Sequence, residues 1–100
     1  QFLSLDAAGW GITDLSGVEG FSELQALDLS GNNVGDIGPI SGLVNLEGLF
    51  LSRNQISDIS ALGALSQLTD LRLSDNEIGS IPDLTALMGL TQLYLDGNSI

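Results

Sequence analysis

Apolar side chains recur along this chain in a pattern that restarts every 22 residues. From Leu24 the order is Leu-x-x-Leu-x-Leu-x-x-Asn-x-Val, followed by apolar residues at steps of three. The same order restarts at Leu46 and Leu68, and a further copy opens at Leu90. A degenerate copy opens at Phe2, so one repeat is written about four and a half times. A fixed period of this length is typical of a repeat architecture.

Each repeat contains two kinds of periodicity, which predict two kinds of element. With Leu24 as position 1, apolar positions 4 and 6 alternate with mostly polar positions 3, 5 and 7, as in a half-buried strand. Positions 14, 17 and 20 are apolar at steps of three, which indicates a 3₁₀ turn or a short helix with one buried face. Pro39 and Pro82 prevent these returns from becoming long helices. The position 4 column is Leu5, Leu27, Leu49, Leu71 and Leu93.

A single repeat of this kind has no partner for its own apolar face, so stability is expected to belong to the stacked array. The chain is therefore predicted to be one solenoid, and to be a piece of a longer array. We expect the repeat boundaries to divide the sequence into 1–23, 24–45, 46–67, 68–89 and 90–100.

Two segments carry a resemblance to a known family. ISDISAL (Ile56–Leu62) and ITDLSGVEGF (Ile12–Phe21) resemble the leucine-rich repeats of bacterial surface proteins of the internalin type, in the class with 22-residue repeats. The resemblance implies an α/β fold, a right-handed leucine-rich-repeat solenoid. In such a solenoid a parallel β-sheet lines the concave face, and 3₁₀ or short helical turns line the convex face.

An asparagine occupies position 9 in four of the repeats. Its amide both donates and accepts, so it can satisfy backbone groups of its own repeat and of the adjacent one. The resemblance implies a buried structural ladder, which here consists of Asn32, Asn54, Asn76 and Asn98. Trp10 replaces the asparagine in the first repeat, and we expect it to fill space near the end of the solenoid, with partner contact as the alternative.

The composition removes several classes of function. The chain has no Cys and no His, so disulfides, zinc sites and imidazole catalysis are excluded. Its only cations are Arg53 and Arg72 against 13 acids, and the net charge is −11, which argues against binding nucleic acid or an anionic membrane surface. No apolar run is long enough for membrane insertion. We expect no cofactor, and no enzymatic activity because no His or Lys is present to activate a nucleophile.

Position 13 carries an acid in three successive repeats. Asp14, Asp36 and Asp58, followed by Ser80 in the next repeat, each precede a predicted return. Capping of exposed N–H groups is the favoured interpretation. The alternative is a row of carboxylates that shares Ca²⁺, but the Asp and Gly spacing typical of calcium loops is missing. We therefore predict no metal site.

Position 5 carries the candidate binding surface. Its side chains are expected to form a column on the concave face, because neighbouring strands lie about 4.8 Å apart. In that column Phe50 and Tyr94 would flank Arg72, and all three residue types are enriched in interfaces. The alternative is that Arg72 neutralises a neighbouring acid and the aromatics pack across strands. The predicted partner-binding residues are Phe50, Arg72, Tyr94, Asp28, Glu47 and Asp70.

These observations and the resemblance favour non-catalytic recognition of a protein partner by the concave face, on a bacterial cell surface or outside the cell. Two alternatives stay open. One is a structural spacer or an array in an adhesin or filament that self-associates through its uncapped ends. The other is a cytoplasmic regulatory scaffold.

Overall fold

The computed structural model describes residues 1–100, and it contains one parallel sheet of five strands in chain order. The strands are β1 (Ser4–Asp6), β2 (Ala26–Asp28), β3 (Gly48–Phe50), β4 (Asp70–Arg72) and β5 (Gln92–Tyr94). Each residue pairs with the residue at the same position of the next repeat, as Leu27 does with Leu49. The sequence repeat therefore sets the register, because a shift by one residue would turn every leucine out of the core.

The returns opposite the sheet are short. Three repeats form 3₁₀ helices, Val18–Gly20, Gly38–Gly42 and Ser60–Ala64. The fourth repeat forms turns, in which the N–H of Leu87 donates to the carbonyl of Leu84 and the N–H of Leu90 to that of Leu87, but no 3₁₀ helix. Pro82 supplies no N–H for a helical hydrogen bond and restricts the residue before it. No helix of the structure has the length and hydropathy that a membrane crossing requires.

One continuous core of 21 buried residues runs between the sheet and the returns. Leu27, Leu49 and Leu71 have no accessible surface, because each lies between two neighbouring repeats. The same position is 44% exposed at Leu93, which has a neighbouring repeat on one side. Trp10, expected to fill space near the end of the solenoid, lies at the apolar end of the first repeat with 69% of its surface exposed.

Candidate functional site

The five side chains of position 5 form one row across the concave face. The strand register places Asp6 beside Asp28, Asp28 beside Phe50, Phe50 beside Arg72, and Arg72 beside Tyr94. Neighbouring side chains of such a row are about 4.8 Å apart, which is close enough for direct contact. The row is acidic in the first two repeats and aromatic and cationic in the last three.

The Arg72 guanidinium lies between two aromatic rings. Its Cζ is 5.1 Å from the centroid of the Phe50 ring and 5.0 Å from that of the Tyr94 ring. Both distances are within the range in which a cation is attracted to the face of a ring. We call Phe50, Arg72 and Tyr94 the aromatic–arginine stack. Phe50 is half-buried, whereas Arg72 and Tyr94 are exposed.

Arg72 also makes an ion pair within its own strand. Its Nε and Nη2 each donate to one carboxylate oxygen of Asp70, both at 3.0 Å. The hydrogen bond to Asp70 is the main reason that the pKa of Arg72 is raised above its ordinary value. Nη2 also approaches Oε1 of Gln92 at 3.5 Å, whereas Nη1 has no partner. Arg72 is therefore neutralised and held in place, with the two N–H groups of Nη1 still free to donate.

Gly48 makes room for the stack, which the sequence pattern did not indicate. A Cβ built on Gly48 would lie 3.3 Å from Cζ of Phe50, so the ring lies along its own strand over the glycine. Ala26 is the neighbour of Gly48 in the sheet, and it is also small. The small residues at position 3 therefore let the ring lie low on the sheet. A glycine in a strand beside an aromatic residue is the signal that could have predicted this.

The other predicted acids of the surface have partners within the chain. The Asp28 carboxylate accepts a hydrogen bond from the backbone N–H of Ser30 at 3.0 Å. The Glu47 carboxylate accepts one from Nε2 of Gln25 at 3.1 Å. The structure therefore brings Asp70 into direct contact with the stack and places Asp28 next to Phe50 in the sheet. The contact of Glu47 is with Gln25 and not with the stack.

The asparagines of position 9 hold the solenoid together at the turn that follows each strand. Nδ2 of Asn54 donates to the carbonyls of Leu29 at 2.9 Å and Leu51 at 3.0 Å, and its Oδ1 accepts from the N–H of Val34 at 2.9 Å. Asn32, Asn76 and Asn98 donate in the same way to their own and the preceding repeat. Each asparagine therefore links two repeats.

The carboxylates of position 13 accept backbone hydrogen bonds at or just before the start of the returns. Those of Asp14, Asp36 and Asp58 accept from the backbone N–H two residues later, at 2.8, 2.8 and 2.9 Å. In the fourth repeat Asp83 makes this contact, accepting from the N–H of Thr85 at 2.9 Å, whereas Ser80, the expected residue, makes no side-chain hydrogen bond. The pKa of Asp58 is lowered chiefly by the backbone N–H of Ser60. No three acids are placed together as ligands for a metal ion.

Family models described as leucine-rich repeats match residues 22–64 and 65–81. An internalin of Listeria monocytogenes (inlF) is 37% identical over 95% of this chain and 28% of its own, with a TM-score of 0.92. Internalin C2 from the same organism is 39% identical over 97% of this chain and 43% of its own, with a TM-score of 0.94. This chain thus spans less than half the length of either. No curated protein matches the chain significantly.

Proposed function

Because the chain is a leucine-rich-repeat protein with internalin-like repeats, we propose that it recognises a protein partner through the concave face of its solenoid, without catalysis. The proposed contact residues are Phe50, Arg72 and Tyr94, with Asp70 holding the arginine and with Asp28 and Glu47 at the edge of the surface.

The aromatic–arginine stack is the observation that supports this proposal. It presents the face or edge of two rings and two free donors of Arg72 on the exposed side of a rigid sheet. Such stiff side chains lose little conformational entropy when a partner binds, which favours affinity. Tyr, Phe and Arg are also the residue types that carry much of the binding energy in protein interfaces.

The stack also has a purely structural interpretation, since Arg72 pairs with Asp70. An exposed ion pair contributes little to stability, of the order of 0–1 kcal/mol. The side chain of Arg72 is 46% exposed and that of Asp70 is 23% exposed, so solvent reaches the pair and weakens the attraction between its charges. Stability alone therefore gives a weak reason for this arrangement, and partner binding gives a stronger one.

We further propose that the partner is met at a bacterial cell surface or outside the cell. The support is the similarity to Listeria internalins over almost the whole of this chain. The net charge of −11 with only two cations is compatible with a protein that must stay soluble among other macromolecules.

The test is capture of a partner by the immobilised domain, followed by measurement of its affinity for defined variants. Phe50→Ala and Tyr94→Ala should each weaken binding by about tenfold or more, the range expected for residues at the centre of an interface. Both variants should keep melting temperatures within about 3 °C of the wild type, since neither side chain belongs to the buried core.

One control and one charge reversal separate binding from packing. Glu19→Gln changes an exposed residue of the first return and should alter neither affinity nor melting temperature. Arg72→Glu places a like charge beside Asp70 and should abolish binding. The proposal is refuted if the concave variants lower the melting temperature but bind the partner with unchanged affinity.

A further inference from the structure

The residue at position 8, directly before the asparagine, adopts a left-handed backbone in all five repeats. Gly9, Gly31 and Gly97 have φ angles of 71°, 67° and 74° at this position. Arg53 and Asp75 adopt the same conformation, each with φ of 58°. Glycine takes this conformation without steric cost, whereas other residues are strained in it. Glycine is therefore the favoured residue at this position of the turn, and two repeats have another residue there.

The two departures differ in how they are compensated. Asp is one of the few residues that tolerate the left-handed region, because its short polar side chain bonds locally. The Asp75 carboxylate packs against Gly97, where an added Cβ would overlap it. Arginine has no such tolerance, and Arg53 makes no ion pair and no side-chain hydrogen bond in the structure. No polar contact of its side chain within the chain therefore offsets the strain of an arginine here.

Arg53 is also the one cationic side chain of the chain that makes no ion pair. Arg72 donates two hydrogen bonds to Asp70, whereas the exposed guanidinium of Arg53 has no acid bonded to it. The guanidinium lies over Gly31, with Nη2 3.5 Å from the position that a Cβ would take there. The backbone N of Gly9 is 4.0 Å from that same position. Gly31 therefore borders Arg53 on this side, and it has no side chain to shield the guanidinium from an approaching molecule.

We propose that Arg53 binds a carboxylate of the protein partner, and that this contact is why the strained arginine is present. The inference rests on the proposed function and extends its surface from the aromatic–arginine stack to the rim of the sheet. Arg53 follows Phe50 by three residues, a reach of about 10 Å along an extended chain. A guanidinium fork matches the two oxygens of a carboxylate, which makes an Asp or Glu side chain of the partner the fitting group.

The structure offers a matched pair of variants. Arg53→Gly and Asp75→Gly make the same backbone change in adjacent repeats, and both restore the residue found in the other three. If Arg53 serves binding, Arg53→Gly should not lower the urea midpoint of unfolding, and relief of strain should move it upward by up to about 0.5 M. A clear fall of the midpoint would show that Arg53 stabilises the fold, and would overturn the proposal.

Binding is tested with a displayed library of random peptides, selected on the wild-type domain. The selected peptides are then synthesised, and their affinities are measured for the wild type, Arg53→Gly, Asp75→Gly and Phe50→Ala. We expect an acidic residue in the selected peptides and a loss of about fivefold or more with Arg53→Gly. Asp75→Gly should not weaken them. Replacing the peptide's Glu by Gln, or Asp by Asn, should weaken binding to the wild type but not to Arg53→Gly.

The outcomes separate this inference from the proposed function. Peptides that need Phe50 but bind Arg53→Gly as well as the wild type would overturn the role of Arg53 and leave the concave surface intact. Peptides that need Arg53 but not Phe50 would support the carboxylate contact and refute the stack as the binding site. If selection on the wild type enriches no peptide, both proposals fail.

Discussion

Replacing Asn54 by leucine is expected to test how the asparagines join neighbouring repeats. Leucine has nearly the shape of asparagine, so the change removes hydrogen bonds and alters packing little. The N–H of Val34 has Oδ1 of Asn54 as its only acceptor, at 2.9 Å, and Val34 is fully buried. An unsatisfied buried N–H costs about 1–3 kcal/mol. We therefore expect Asn54→Leu to lower the free energy of unfolding by roughly 2 kcal/mol or more.

The effect of Asn54→Leu depends on the neighbouring asparagine, because the two asparagines share a backbone carbonyl as acceptor. The Leu29 carbonyl accepts from both Asn32 and Asn54, at 2.9 Å in each case. One substitution leaves it a partner, whereas substitution of both asparagines leaves it none. The pair Asn32→Leu with Asn54→Leu should therefore cost about 1–2 kcal/mol more than the sum of the single changes.

A second pair provides the control. Asn32 and Asn76 share no carbonyl, because Asn76 donates to Leu51 and Leu73. Their double substitution should be additive within about 0.5 kcal/mol. Asn33→Leu changes an exposed neighbour that makes no side-chain hydrogen bond, and it should cost far less than Asn54→Leu.

Urea unfolding followed by circular dichroism measures these differences, with an osmolyte added to all variants if a double variant is too unstable to fold. Equal urea midpoints for Asn54→Leu and Asn33→Leu would refute the stabilising role of the asparagine. Additivity in both pairs would show that the shared carbonyl does not couple the repeats.

The melting temperature should rise between about 10 mM and about 500 mM NaCl, because the carboxylates behind the net charge of −11 repel one another most at low ionic strength. A greater rise with Ca²⁺ than with the same concentration of Mg²⁺ would reopen the calcium interpretation of Asp14, Asp36 and Asp58. The lowered pKa of Asp58 means that its contribution to stability is present above its unfolded-state pKa and is lost as the pH falls from there through its folded-state pKa. In 0.5 M NaCl, the fall in melting temperature between about pH 5 and pH 3 should therefore be greater for the wild type than for Asp58→Asn, and equal slopes would contradict this. Gly48→Ala should displace the Phe50 ring and weaken partner binding more than it lowers stability, whereas Ala26→Gly, at the same position of the preceding repeat, should leave binding unchanged. Self-association through the exposed apolar faces of the first and last repeats should appear in sedimentation as a particle size that grows with protein concentration. Leu93→Glu should reduce this growth, and a monomer at all concentrations would exclude self-association.

The sequence by itself determined the fold, because the fold is a repetition. Leucines that recur at one position of each repeat can all be buried only if equivalent positions stack, and this requirement sets the strands and their parallel register. The same argument predicted the row in which Phe50 and Tyr94 flank Arg72, since residues separated by one repeat must become neighbours in the sheet.

Only the tertiary structure decided how those neighbours interact. Periodicity places Arg72 beside two rings and an acid, but the distances show that it stacks on both rings and bonds to Asp70 together. Local backbone geometry also decides three further features. The fourth return forms turns and no 3₁₀ helix, Asp83 and not Ser80 accepts the backbone hydrogen bond there, and the Phe50 ring lies over Gly48. The left-handed turn at Arg53 belongs to the same group, because a column of three glycines with one arginine and one aspartate shows its strain only once the φ angles are known. The apolar pattern is set by burial, and the same positions are buried in every repeat. Polar contacts are set by the particular side chains of adjacent repeats, and these side chains differ from one repeat to the next.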